Sequence, residues 1–476
     1  MLDRSYKKDP YTLVMLTLDA HSIGSVERIK SRFSKIYPEL EIIVHAAASW
    51  EEDPSSLLKT KEDLARANMV LITLVFLEDH ISAILPDLKK AREKCDLMLG
   101  LVSSKEIVNL TKMGGLDMSK PSSGVLKFLK KLRGDKNKVT GGEKQMAILR
   151  QIPKVLKFIP GKAQDLRAYF LSMQYWLAGS EENIESLFCY LLSRYSSLHN
   201  SSKVEIKSPV EYPETGLYHP DIPKKITENI SEIPFAKHSI GTVGLLLMRS
   251  YVLSGDTAHY DQVIRSLEAQ GLKVIPAFAA GLDARPAINK YFMENAEASI
   301  DTFLSLTGFS LVGGPAYNSS KAAEEALAEL DVPYIAAHAI EFQNLNQWDK
   351  SDGGLNPIET TILVSLPELD GATNPTVFGG RLGEEGGCSC CVQLRTGNEK
   401  AFDMVPCYER IKSLSEKTRR LVKLKRKENS EKKVGIILYG FPPNAGSIGT
   451  AAYLSVFESL YNVLKSMKSE GYEIEL

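Results

Sequence analysis

The chain has 476 residues, of which 43% are hydrophobic and 25% charged, and this balance excludes a largely disordered chain, a collagen and a coiled coil. Its 58 lysines and arginines against 59 aspartates and glutamates leave a net charge of -1, so no global basic field gathers nucleic acid. Six cysteines in a chain of this length favour reduced thiols over a disulfide framework. No signal peptide or transmembrane segment is visible, so a cytoplasmic protein is predicted.

The first segment alternates short apolar runs with amphipathic stretches. The run from Met69 to Phe76 has no polar alternation, which is typical of a strand covered on both faces. The strands of this segment are predicted at residues 11–18, 41–45, 69–76 and 97–102. Their alternation with helices predicts a parallel sheet with helices on both faces.

A helical segment and a linker come next, before the alternation restarts. Residues 119–199 are predicted to be helical, whereas residues 200–241 are rich in turn formers and lack periodicity, which is typical of a linker. Strands at 243–248 and 273–278 then open a second α/β unit, which is predicted to extend over residues 242–382.

The last part of the chain is predicted as a loop and a basic helix, followed by the beginning of another unit. Residues 433–476 have the pattern of one strand, one helix and one further strand, which cannot bury their own faces. The predicted fold class is therefore α/β, with parallel doubly wound sheets in at least two units and a helical insertion between them. The predicted divisions are an N-terminal α/β unit (1–118), a helical segment (119–199), a linker (200–241), a second α/β unit (242–382), a loop and basic helix (383–432) and the start of a third, incomplete unit (433–476).

Glu78, Asp79 and His80 directly follow a predicted strand, and ligands of parallel sheets gather outside the carboxyl ends of strands. These side chains can coordinate a divalent cation or move a proton. Acidic residues also stabilise a helix N-terminus for purely structural reasons, and we favour this second interpretation.

The stretch from Arg249 to Tyr260 leaves one strand end and enters a helix, which is expected to bring Arg249, Asp256 and His259 near one rim. The alternative that Asp256 only caps the helix stays open. Polar and glycine residues follow the neighbouring predicted strands and are expected at the same rim, which predicts a ligand cleft. These residues are Gly281, Asp283, Gly313 and Gly314.

Two further motifs favour a structural interpretation. Gly446 to Thr450 opens a helix after a predicted strand but lacks the Lys-Ser/Thr ending of a P-loop, so ATP binding by this chain is disfavoured. Four cysteines, Cys388, Cys390, Cys391 and Cys407, match neither a paired C-x-x-C site nor a zinc-finger spacing. Free thiols are favoured over a metal site there.

Several segments, in order along nearly the whole chain, resemble the N-terminal part of the large (H) subunit of magnesium chelatase, which belongs with the cobaltochelatase large subunits. The part up to about Ser180 is more similar to the magnesium branch. The matching segments include residues 76–81, 158–161, 164–170, 174–180, 254–256, 280–283, 306–309, 313–316, 330–335, 366–371, 441–443 and 449–454.

This resemblance implies a porphyrin-binding subunit that presents protoporphyrin IX for ATP-dependent Mg²⁺ insertion, toward chlorophyll or bacteriochlorophyll. Protoporphyrin IX and Mg²⁺ are then the substrates, and separate AAA-type partner subunits, of I and D type, hydrolyse the ATP. The family's large subunits are much longer than this chain, so we expect it to lack a complete active site and to be inactive alone. The alternatives are a cobaltochelatase large subunit acting on a corrin precursor and a non-catalytic tetrapyrrole-binding or regulatory module.

The residues expected to contact a ligand follow from both arguments. The porphyrin-cleft rim is assigned to Arg249, Gly281, Asp283, Gly313 and Gly314. The candidate catalytic residues are His259, Asp256, Glu78 and His80. No resident metal site is expected in this chain.

Overall fold

The computed structural model describes most of the chain, and the statements below concern that part. The described residues are 10–18, 21–50, 54–119, 152–153, 156, 160–198, 206–314, 317–383, 386–394, 402–438 and 455–475. The glycine-containing turn predicted at 446–450 and most of the stretch 120–159 lie outside them.

The first sheet has six strands in the order β2-β1-β3-β4-β5-β6. Its first four strands are parallel, and two short antiparallel strands extend one edge. The strands are β1 (Tyr11–Thr17), β2 (Leu40–Ala46), β3 (Met69–Thr73), β4 (Leu97–Leu101), β5 (Lys112–Met113) and β6 (Leu116–Asp117). Every residue of β1, β3 and β4 is buried, as expected for strands covered on both faces.

Helices cover both faces of this sheet. One core cluster joins the sheet to α1, α5 and α6, and a second joins it to α2 and α3. The helices are α1 (His21–Ile36), α2 (Pro54–Arg66), α3 (Glu78–Lys94), α4 (Lys105–Val108), α5 (Lys162–Ala178) and α6 (Glu181–Tyr195), with a 3₁₀ turn at Ala47–Trp50. Helices α5 and α6, the described helices of the predicted helical segment, thus pack on the first sheet.

The sharp turn between α5 and α6 has a local cause. Gly179 ends α5 in the left-handed conformation, with φ of 66°, which glycine adopts without steric cost. Ser180 then begins α6, and its side chain accepts a hydrogen bond from the backbone N–H of Asn183. Glu181 and Glu182 occupy the first turn, where negative charge suits the helix dipole.

The second sheet has eight strands in the order β18-β17-β16-β13-β9-β10-β7-β8. The five strands from β17 to β10 are parallel, and antiparallel strands close both edges. Its strands are β7 (Thr215–Tyr218), β8 (Ile226–Thr227), β9 (Thr242–Met248), β10 (Lys273–Ala279), β13 (Thr302–Ser305), β16 (Tyr334–Ile340), β17 (Thr373–Arg381) and β18 (Met404–Pro406). Two separate small ribbons pair β11 (Met293–Glu294) with β12 (Glu297–Ala298), and β14 (Gly313–Gly314) with β15 (Tyr317–Asn318).

This sheet is also covered on both faces. Helices α8 and α14 share one core cluster with it, and α9 and α10 share another. The helices are α7 (Arg249–Ser254), α8 (Ala258–Ala269), α9 (Arg285–Tyr291), α10 (Ser320–Leu330), α11 (Leu345–Lys350), α12 (Pro357–Glu359), α13 (Leu366–Leu369), α14 (Tyr408–Arg426) and α15 (Val456–Ser469), with a π-helical stretch at Thr360–Ser365 and 3₁₀ turns at Ile230–Glu232, Ser389–Leu394 and Asn429–Glu431. The predicted α/β class with parallel doubly wound sheets is confirmed. Within the described residues, no helix has the length and apolar composition to cross a bilayer.

Some stretches near the linker and the end of the chain differ from the prediction. The predicted linker contains β7 and β8, which are too short to show a periodic pattern in the sequence. The run 433–438, predicted as a strand, pairs with no other strand among the described residues, and Ile437 is 78% exposed. Helix α15 buries none of its residues, so the structure supplies no partner face for this end of the described chain.

Candidate functional site

A cavity of about 400 Å³ lies at the carboxyl ends of the parallel strands of the second sheet. One wall comes from the ends of β9 and β10 and from the loop after β13. A second wall comes from the turn between α5 and α6, including Trp176, Gly179 and Ile184, and Leu74 after β3 also lines the cavity. The cavity therefore lies between the helical segment and the second α/β unit, at the edge where ligands of such sheets bind.

Most of the predicted rim residues meet at this cavity. Arg249, Gly281, Asp283 and Gly313 all line it. Gly314 is the next residue of β14. The carboxyl ends of the parallel strands thus bring four predicted positions to one cavity, and the role of these residues in binding stays a prediction.

Arg249 is held in place by the chain preceding the sheet. Its Nε donates to the carbonyl oxygen of Pro213 and its Nη2 to that of Tyr212, each at 3.2 Å. The side chain also lines a neighbouring cavity of about 240 Å³. One guanidinium consequently lies at the junction of two cavities, where it can meet an anionic group of a ligand in either.

Asp283 forms a charge pair with its neighbour. The Arg285 Nη2 lies 2.6 Å from the Asp283 Oδ2, and this contact holds the pKa of Asp283 below its ordinary value. Asp283 is therefore ionised at neutral pH, and the charge of Arg285 already compensates its negative charge. Gly281 and Gly313 have φ values of 74° and 125°, and the Gly313 N–H donates to the Leu282 carbonyl at 2.6 Å. Glycine adopts these positive φ values without steric cost, and a Cβ at Gly281 would meet no heavy atom within 4 Å, so the backbone conformation rather than a close approach calls for glycine there.

Asp256 and His259 do not lie at this rim, which corrects the expectation that they share it with Arg249. The backbone N–H of Met404 donates to both carboxylate oxygens of Asp256, at 3.1 and 3.3 Å. Helix α8 begins at Ala258 and Thr257 occupies the N-cap position, so Asp256 secures the edge strand β18 rather than capping α8. His259 is fully buried, and its ring stacks on Phe378 at 5.7 Å. Both residues belong to the core beneath the cleft.

Glu78 and His80 lie in the first turn of α3, as the sequence predicts, but they are not brought together. Glu78 is exposed, whereas His80 is buried edge-to-face against Trp50 at 5.7 Å. Neither residue lines the cavity. Any catalytic role of Glu78 and His80 stays a prediction.

The aromatic wall of the cavity was not predicted. Trp176 is 7% exposed and lines the cavity from the end of α5. The signal in the sequence was the Gly179-Ser180 pair, which ends one helix and starts the next and so marks a turn. Periodicity alone could not show that this turn faces the second sheet.

Four cysteines meet in space. Cys388, Cys390 and Cys391 come from one loop, and Cys407 directly follows β18. Their Sγ atoms all lie within 4.8 Å of one another. The separations from the Cys390 Sγ are 3.4 Å to Cys391 and 3.6 Å to both Cys388 and Cys407, and Cys391 and Cys407 are 3.8 Å apart. The spacing did not reveal this cluster because the fold returns Cys407 to the loop from a separate strand.

These separations have a chemical meaning. Four thiolates at about 2.3 Å from one tetrahedral ion lie roughly 3.8 Å apart, close to the separations observed. Hydrogen bonding from Cys388 together with burial raises the pKa of Cys407, and burial raises the pKa of Cys390 to about 12. Cys390 and Cys407 therefore stay protonated at neutral pH unless a cation replaces their protons.

The fold is similar to that of a solved chelatase protein. The match is to the catalytic subunit of cobaltochelatase from Mycobacterium tuberculosis, with a TM-score of 0.55 and 16% identity, over 98% of this chain and 31% of that one. At this level of identity the match concerns the fold.

The sequence itself matches a known family over most of its length. A model described as CobN/Magnesium Chelatase matches residues 173–476, and a domain of unknown function matches residues 12–170. The chain belongs to the CobN/magnesium chelatase family, which confirms the resemblance seen in its motifs.

Two relatives place the chain within the family. It is 54% identical to the magnesium-chelatase H subunit of Cereibacter sphaeroides over 473 residues, covering 98% of this chain and 39% of that protein. It is 27% identical to the aerobic cobaltochelatase subunit CobN of Pseudomonas aeruginosa over 277 residues, covering 56% of this chain and 20% of that protein. The chain thus spans well under half the length of these relatives and is more similar to the magnesium branch.

Proposed function

We propose that this chain is the N-terminal portion of the porphyrin-binding H subunit of a magnesium chelatase, and that the 400 Å³ cavity contacts protoporphyrin IX. The observation that carries the proposal is the cavity itself, which combines an apolar lining with Trp176 on one wall and Arg249 at the rim. Its volume falls in the range of ligand pockets, about 300–1,000 Å³.

The geometry suggests how each residue acts. The Trp176 indole offers an apolar surface to the macrocycle. The Arg249 guanidinium pairs with a propionate carboxylate, for which its planar fork is suited. Gly281 and Gly313 supply the positive-φ backbone conformations of the rim. This chain supplies binding and orientation. Mg²⁺ enters as a substrate, and AAA-type partner subunits of I and D type hydrolyse the ATP that drives insertion toward chlorophyll or bacteriochlorophyll.

Titration of the full chain with protoporphyrin IX tests this function. We expect saturable quenching of tryptophan fluorescence at micromolar porphyrin. A chain that shows no quenching with protoporphyrin or its deutero analogue does not bind porphyrin, and the proposal fails. Insertion assays with the two ATPase subunits separate the alternatives. Preference for a corrin precursor and Co²⁺ favours a cobaltochelatase, whereas binding without insertion fits a regulatory module or a partial subunit.

A second site is favoured by the cysteine geometry. We propose that Cys388, Cys390, Cys391 and Cys407 hold one structural Zn²⁺, because all Sγ atoms lie within 4.8 Å of one another and the separations of 3.4 to 3.8 Å given above are close to the edge of a tetrahedral tetrathiolate. The ion fixes the loop to the start of α14, since Cys407 is the residue before that helix.

Metal analysis of the purified chain tests the second site. We expect about one zinc per chain, lost in Cys407→Ser and retained in Cys189→Ser, which removes a buried thiol elsewhere. Chains purified without zinc contradict the proposal, and iron with inorganic sulfide shows that the cysteines hold a cluster instead.

A further inference from the structure

The guanidinium of Arg28 connects both walls of the 400 Å³ cavity from outside. Arg28 lies in α1 of the first unit. Its Nε donates to the Glu181 carboxylate at 2.6 Å, and its Nη2 donates to the Ser254 carbonyl at 2.9 Å. Glu181 directly follows the turn that forms one wall, and Ser254 is a lining residue of the other. A single side chain thus joins two elements that both contribute residues to the lining of the cavity.

Further contacts converge on the same point. The Ser25 Oγ donates to the same Ser254 carbonyl at 3.1 Å and is buried. The Arg28 Nη1 lies 3.7 Å from the Asp403 Oδ1, immediately before β18. The first unit, the helical segment and the second unit therefore all meet at Arg28.

The contacts of Arg28 with Glu181 and Ser254 form a joint between the units, and their geometry favours arginine at this position. A planar guanidinium donates in fixed directions from one rigid group, so it can hold a carboxylate and a carbonyl at a set separation. The Arg28 and Glu181 side chains are only 29% and 25% exposed, so water screens the pair less than a surface ion pair. A lysine keeps the charge but cannot reproduce both directions.

We infer that Arg28 is a positioning residue that sets the separation of the cavity walls by holding Glu181 and Ser254 together. Its effect on porphyrin binding rests on the proposed function, whereas its effect on the walls does not. Loss of the joint loosens the first unit and the helical segment from the second unit, while each α/β core stays folded.

Arg32 provides a matched control. It lies one helical turn further along α1 and makes two ion pairs, to Glu181 at 2.7 Å and to Glu185 at 2.6 Å. Both partners belong to α6. An Arg32→Ala variant therefore removes contacts of similar strength from the same helix face without removing a contact to the second unit.

Hydrogen exchange of the ligand-free chain tests the joint directly. In Arg28→Ala we expect amides of residues 249–257 to exchange about tenfold faster, together with those of 176–185, because local opening costs less free energy. In Arg32→Ala only the amides of 176–185 should change. Equal exchange of residues 249–257 in the two variants overturns the inference. If Arg28→Ala fails to fold, Arg28→Lys and Ser25→Ala give the same comparison.

Porphyrin affinity tests the consequence. We expect Arg28→Ala to raise the Kd for protoporphyrin IX about tenfold, Arg28→Lys to raise it less and Arg32→Ala to leave it nearly unchanged. Unchanged affinity in Arg28→Ala overturns the positioning role. Failure of the unsubstituted chain to bind porphyrin refutes the proposed function. In that case the hydrogen-exchange data alone test whether Arg28 holds Glu181 and Ser254 together.

Discussion

Replacing Arg249 with methionine should weaken the binding of porphyrins that carry free carboxylates. Among the described residues that line the cavity, Arg249 is the only cation. A hydrogen bond to a charged group contributes about 1.5–3 kcal/mol, so the Kd for protoporphyrin IX should rise roughly 10- to 100-fold. Methionine keeps an unbranched apolar stem, which limits the loss of packing.

The variant also loses two structural hydrogen bonds, because the Arg249 side chain donates to the backbone carbonyls of Tyr212 and Pro213. The dimethyl ester of protoporphyrin separates the two effects, since it has the same macrocycle without negative charge. A titration followed by fluorescence should show the loss for the free acid and little change for the ester. An Arg265→Met chain, which removes an exposed guanidinium that pairs with Asp221 and does not line the cavity, is the control. Equal losses for acid and ester refute the assignment of Arg249 to a carboxylate.

Two further predictions concern the core beneath the cleft. Asp256→Ala should lower the free energy of unfolding by about 1–3 kcal/mol in urea titrations, because it leaves the Met404 N–H unpaired, yet it should not change porphyrin affinity; a large change in Kd contradicts the placement of Asp256 away from the cavity. Burial lowers the pKa of His338 from 6.5 to about 4. Between these pH values the imidazole of His338 binds a proton in the unfolded chain but not in the folded chain. The free energy of unfolding therefore falls by roughly 3 kcal/mol as the pH drops through this window. Urea midpoints at pH 4.5 and 7.5 should differ less in His338→Phe, and an unchanged difference rules out this cause.

The sequence predicted the sheets well where burial leaves a simple pattern. The uninterrupted apolar run at β3 and the run at β9 each indicated a buried strand close to the observed bounds. Strands β7 and β8 were missed because four and two residues carry no periodicity. The run 433–438 has strand composition but no pairing partner in the described chain, and composition cannot supply one.

Some residues of the candidate site could likewise be predicted from the sequence, and others could not. Arg249, Gly281, Asp283 and Gly313 were found because the carboxyl ends of parallel strands share one edge. Asp256 and His259 were misplaced because proximity along the chain does not reveal which side of the sheet a helix covers. The cysteine cluster depends on contacts between distant segments, and so does the joint at Arg28, so neither could be predicted from spacing.

The most direct test of porphyrin binding in this cavity uses the three tryptophans. Trp176 lines the cavity, Trp50 packs against His80 in the first unit, and Trp348 lies under the Arg410 guanidinium. Protoporphyrin IX should quench the fluorescence of the unsubstituted chain, of Trp50→Phe and of Trp348→Phe with similar affinity. Trp176→Phe should lose most of the quenching and bind more weakly. Full quenching with unchanged affinity in Trp176→Phe would place the porphyrin elsewhere and contradict the account.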